Sequence, residues 1–158
     1  MIYLVLNLFF AGAWVLLNHA YSITDFAIGF LLGLGVLWLL RPFDLDHSYF
    51  RRLRAAGVLL VYFHYEMMVS VFRVAWEVMT PAPKAVPKIV HVPLDAETDI
   101  EITLLANMVS LTPGTLSLDI TEDKTHLIVH AMFARDPHAV ITAIKTGLET
   151  RLLEVTRE

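Results

Sequence analysis

The sequence predicts a two-part membrane protein. About three N-terminal transmembrane α-helices, the first two short enough for a hairpin, precede a small C-terminal α+β domain of order βαββα. Three observations predict it. Residues 1–24 carry no Asp, Glu, Lys or Arg. Hydrophobic residues make up 56% of the 158, more than a usual soluble domain holds. After residue 87 the pattern changes to short apolar stretches whose period alternates between two and about 3.6. The predicted division is a membrane domain over residues 1–80, a linker over 81–87 and the α+β domain over 88–158.

The first apolar run has no basic leader and no small-residue cleavage site, so it reads as a retained helix, not a removable signal. The break "NHAYSITD" follows, where Ser22 and Asp25 can form a capping box. A second helix then runs to residue 40, with about fifteen uncharged residues covering roughly 23 Å, short of the ~30 Å hydrocarbon core. The first two segments are therefore expected to pack closely in a thinned membrane or to re-enter it. Gly29 and Gly33 lie one turn apart and would let a neighbouring backbone approach. Arg41-Pro42 ends the segment.

A third apolar run covers residues 55–80 and is less pure. Glu66, Ser70, Arg73 and Glu77 recur at i, i+4, i+7 and i+11, which places them on one helix face. Charges facing lipid tails are costly, so this face must meet protein, a wet cavity or the membrane surface. It is either an element of an ion path or a subunit-docking or interfacial stripe in which Arg73 and Glu77 pair. Gly29, Gly33 and these four residues are the candidate subunit contacts.

The proline-rich "TPAPKAVPK" cannot continue a helix. Residues 88–94 read as a strand. Thr98 and Glu101 form a capping box ahead of apolar Leu104, Leu105, Met108, Val109 and Leu111. Thr112-Pro113-Gly114 stops that helix. Residues 115–121 alternate Leu116, Leu118 and Ile120 against Ser117 and Asp119, a half-buried strand. The turn "TEDKT" leads into a strand over 126–133 and completes a hairpin. Asp136-Pro137 opens the last helix, whose buried face is Ile141, Ile144, Leu148, Leu152 and Val155. Helices should cover one face of a small mixed sheet.

No chemistry can be assembled from these residues. There is no cysteine. His126 and His130 fall on a strand, four steps and roughly 13 Å apart, too far for one zinc ion. Asp95, Glu97, Asp99 and Glu101 lack calcium-loop spacing and read as a solvated acidic face at a helix N-terminus. "GLG" in the second segment is followed by no phosphate-loop lysine. Seven basic and eleven acidic residues after residue 80 argue against nucleic acid. The expectation is a non-enzymatic chain without cofactor or metal.

"DIEITLLANMVSLTPGTLSLDITED", followed by "HLIVHAM" and the terminal "LLEVTRE", resembles the E subunit of Mrp-type multisubunit sodium (potassium)/proton antiporters. "NLFFAGAWVLLN", "DFAIGFLLGLGVLWLLRP" and "RRLRAAGVLLVYFHYEM" are similar to the same family, so the resemblance covers essentially the whole chain. It implies an accessory subunit in a bacterial cell membrane, partnered by other membrane subunits and by lipid, with three membrane segments and a cytoplasmic C-terminal domain. A stand-alone membrane-anchored binding module is the alternative. Charge gives conflicting orientations. Arg41, Arg51, Arg52 and Arg54 place the first connector inside, and Lys84 and Lys88 place the polar domain inside. Both hold only if the third segment does not span fully, or if one of the two charge rules is broken.

Overall fold

The computed structural model describes residues 2–18, 21–39, 48–81 and 85–157. Its elements are α1 (Ile2–Asn18), α2 (Ile23–Leu39), α3 (Ser48–Met79), β1 (Lys88–Pro93), α4 (Asp99–Leu111), β2 (Thr115–Ile120) and β3 (His126–Ala131). A continuous helical stretch then changes type twice: α5 (Pro137–Thr142), a π-helical segment Ala143–Glu149, and α6 (Thr150–Thr156). The expected stop at Arg41-Pro42 and residues 82–84 of the proline-rich linker lie outside the described residues.

Two compact units emerge, Met1–Arg51 and Arg52–Glu158. In the first, α1 and α2 are 17 residues each, about 25 Å of helix. Ser22 accepts from the Asp25 amide at 3.1 Å and so caps α2. The two helices run antiparallel at very short range. A Cβ on Gly29 would sit 2.7 Å from the Trp14 Cβ and 3.0 Å from the Ala11 Cα. A Cβ on Gly33 would collide with the Asn7 side-chain oxygen. Asn7 is fully buried at this crossing, and its amide nitrogen donates to the Tyr49 hydroxyl at 3.1 Å.

The second unit is a sheet of order β1-β3-β2 with helices on one face. Val90 and Val92 of β1 and Leu127, Val129 and Ala131 of β3 point inward, and Leu105 and Val109 of α4 meet them. Ile144, Leu148 and Leu152 close the core from the C-terminal helix. Leu59, Tyr62 and Phe63 of α3 also pack on this core, so the long apolar helix belongs to the same compact unit as the sheet.

Three expectations need correction. The sheet is antiparallel, not mixed: β1 and β2 both pair with β3 in antiparallel register, and among the described residues parallel pairing is confined to the bridge Val86 to Phe133. Leu116 and Leu118 turn outward, each 49% exposed. Ser117 takes the inner position because it pairs with inward-facing Val129 and its hydroxyl donates to the Ala106 carbonyl of α4 at 2.9 Å. A bulge between Ser117 and Asp119 then returns Ile120 to the inside, opposite Leu127. Finally, the last helix is not α-helical throughout. Its π segment widens the turn and buries three successive residues, Gly147, Leu148 and Glu149, which a 3.6-residue period would spread around the helix.

Candidate functional site

The polar stripe of α3 faces the chain's own α+β fold. Glu66 is half-buried and accepts from the Tyr62 hydroxyl, one turn earlier, at 3.0 Å. The Tyr62 ring lies 3.8 Å below the Arg151 guanidinium of α6 and packs over Gly147, where a Cβ would come 2.5 Å from the tyrosine oxygen. Ser70 is buried. Arg73 is exposed and lies 5.9 Å from the centre of the Phe133 ring. Glu77 accepts the backbone N–H of Ala85. Tyr62, Glu66, Ser70, Arg73, Gly114 and Phe133 help to line a cavity of about 330 Å³ between α3 and the sheet unit. Gly29 and Gly33, by contrast, are taken up by α1 of the same chain.

The stretch around Thr112-Pro113-Gly114 solves a backbone problem. A helix leaves its last four carbonyls without intrahelical donors. Here hydroxyls reach two of them: Thr112 donates to the Met108 carbonyl (2.9 Å) and Thr115 to Val109 (2.7 Å). Ser117 donates further back, to the Ala106 carbonyl within the helix (2.9 Å). Ser110 in turn accepts the Ser117 amide at 3.1 Å. Gly114 adopts φ +92°, a left-handed turn that a side chain would strain, with the Phe133 ring closing over it. The sequence "SLTPGTLS" is thus a helix-to-strand junction made of capping groups.

The acidic junction is not a uniformly solvated face. Glu101 is 3% exposed. Its capping box with Thr98 forms as the spacing predicts. Its carboxylate also accepts the Glu97 amide (3.1 Å), the Thr156 hydroxyl (2.7 Å) and Arg157 at 3.0 Å through both Nε and Nη2. The Arg157 guanidinium, aided by Thr156 and the two amides, holds this carboxyl far below the usual carboxylate range against the opposing effect of burial. Glu149 sequence reasoning missed, because an α-helical period does not place it inside. The π segment turns it to the Asp95 and Ala96 amides at 2.6 and 3.0 Å. Lys145 completes the cluster with Asp95 (2.8 Å), Glu149 (2.9 Å) and the Pro93 carbonyl (2.9 Å). Burial tends to lower the Lys145 pKa, but the two carboxylates together raise it.

Asn7, Tyr62 and Gly147 also escaped the sequence reading. An amide in the middle of an apolar helix was the available signal for Asn7. Nothing local marks Tyr62 or Gly147. His126 and His130 sit on the outward side of β3, as the strand assignment expects.

These clusters join segments far apart in the chain: α3 to the terminal helix, and the start of α4 to both ends of the 93–157 stretch. The pattern of the Na+/H+ ion antiporter subunit family matches residues 7–155, spanning both units. The chain belongs to this family. Relatives named as E subunits of Na+/H+ antiporters share 36% identity in Alkalihalophilus pseudofirmus and 32% in Bacillus subtilis, each over 98% of both chains. The corresponding E1 protein of Staphylococcus haemolyticus is 30% identical over 98% of this chain and 97% of its own.

Two solved structures share the fold of this antiporter-family chain. One chain of the Mrp complex from Dietzia sp. aligns at TM-score 0.52 and 24% identity, covering 65% of this chain and 96% of that one. A chain of the membrane-bound sulfane sulfur reductase, an archaeal respiratory membrane complex, aligns at TM-score 0.58 and 21% identity, covering 94% and 98%.

Proposed function

We propose that this chain is the accessory E subunit of a multisubunit monovalent cation/proton antiporter in the bacterial cell membrane. It would serve the integrity of the complex and leave ion movement to other subunits. The observation that carries this reading is the occupation of the α3 stripe. Tyr62 bonds Glu66 and stacks on Arg151, and the exposed Arg73 stacks on Phe133, so the stripe is engaged by the chain's own α+β fold, and among the described residues it forms no file of carboxylates. Family membership supports sodium as the transported ion, because the relatives are named for Na+/H+ exchange. The partners would be the large membrane subunits, and the α+β domain would face the cytoplasm.

Gentle detergent extraction tests the partnership. The chain should co-purify with several very hydrophobic proteins, and its recovery as a small isolated species would favour a stand-alone binding module. Deleting it should abolish cation/proton exchange in vesicles together with recovery of the partners. Full assembly of the partners with no transport would defeat the accessory reading.

A further inference from the structure

By length and apolarity α3 qualifies to cross a bilayer, but it is also packed against the α+β fold. The α+β fold covers one side of the helix along most of its length. Leu59, Tyr62 and Phe63 meet the core, Arg73 meets Phe133, Val74 lies beside Gly114 and Glu77 holds the Ala85 amide. From residue 59 to residue 77 that is about 27 Å of axis, nearly the whole hydrocarbon thickness. An upright α3 would therefore carry into lipid an open three-stranded sheet with two edge strands. Lipid-exposed sheet edges do not occur there, since their backbone groups would have no partners. The ion pairs of Lys145 and Arg157 would go with it.

The other side of α3 is largely apolar and, among the described residues, exposed. Val61, Tyr65, Met68, Phe72, Trp76 and Met79 form one stripe at i, i+4, i+7, i+11, i+15 and i+18, each exposed. Arg51 and Arg54 are exposed at its N-terminal end.

We infer that α3 lies flat in the headgroup region of the membrane, its 61–79 stripe dipped into the acyl boundary and Arg51 and Arg54 on anionic headgroups. Charge complementarity selects lipid as the occupant: an apolar face with aromatic residues and a basic end is the composition of an interfacial helix. The placement also removes the orientation conflict. With α3 on one surface, Arg51, Arg52 and Arg54 in its first turns and Lys88 after it all lie on the same side.

This inference rests on the membrane-complex reading, which the co-purification above tests separately. The chain has no cysteine, so single replacements report cleanly. Val61→Cys, Met68→Cys, Phe72→Cys and Met79→Cys are spin-labelled in the full chain in vesicles containing anionic lipid, and depth is read from collisions with oxygen and a water-soluble nickel chelate. A flat helix gives four depths that agree to within about one helical turn, ~5 Å. Depths spread over ~20 Å or more along the ~27 Å of axis would show a spanning helix and overturn the inference. Labels shielded from both quenchers would show a protein partner on the stripe and overturn it equally. Arg51→Cys and Glu122→Cys should react with an impermeant maleimide from the same side of the membrane. Reaction from opposite sides would overturn the inference independently.

Discussion

Glu101 shows how much one carboxylate can do in this chain. It caps α4, accepts from the Thr156 hydroxyl and bonds Arg157, all in a nearly closed site. Glu101→Ala would leave these donors unmet and should cost at least ~1.5–3 kcal/mol, seen as a lowered unfolding midpoint in detergent. Its pKa is lowered in the folded state, so the carboxylate contributes stability in full above its unfolded value of about 4.3. That contribution is lost as the pH falls from there toward the lowered folded value. Thermal stability should therefore fall below about pH 4.5, and Glu101→Gln should flatten this acid limb. A limb of unchanged slope would assign the acid sensitivity to other groups. Gly33 makes an opposite kind of contribution, by absence. Gly33→Leu drives side-chain atoms into Asn7 and should weaken the α1–α2 pair by ~1–3 kcal/mol, read as reduced recovery from membranes.

At the scale of the element, legibility followed the locality of the cause. The capping box at Thr98, the proline start after Asp136 and the stop at Pro113-Gly114 are set by neighbours in sequence, and the structure places all three where the residues predict. The inner face of β2 depends instead on which helix lies above it. A hydroxyl reaching Ala106 outweighed two leucines, and no alternation rule contains that contact. The π segment is invisible for the same reason, since its register is set by the Asp95 and Ala96 amides, more than fifty positions away. Removing the hydroxyl caps tests their weight. Thr115→Val and Ser117→Ala each remove a hydroxyl bond to a carbonyl of α4 and should cost ~1 kcal/mol apiece. Hydrogen exchange should quicken around residues 106–115 while the β1–β3 pairing stays protected.

For the whole molecule, the sequence marked the α3 stripe but not its destination. Glu66, Ser70, Arg73 and Glu77 share a face as the spacing requires, and that face meets the chain's own fold. Glu66→Gln keeps an oxygen for the Tyr62 hydroxyl, so an assembled complex carrying it should retain most of its antiport. Arg73 is exposed and stacks at 5.9 Å, so Arg73→Ala should cost only ~0.5–1 kcal/mol and reduce recovery slightly. Recovery and exchange measured on the same membranes decide both. A fully assembled, inactive Glu66→Gln complex would put this chain on the ion route.

The hydroxyl-capped junction has a kinetic consequence as well. Its bonds close loops of 3 to 11 residues, whereas the Glu101–Arg157 tie closes one of 56. Short loops lose little entropy on closure, so the α4–β2 corner can order early while the chain is otherwise open. The ionic tie then acts as a late latch. Stopped-flow refolding should give Ser117→Ala a φ-value well above that of Arg157→Ala, which would act mainly by hastening unfolding. The conspicuous "SLTPGT" would then be the place where the domain begins to fold.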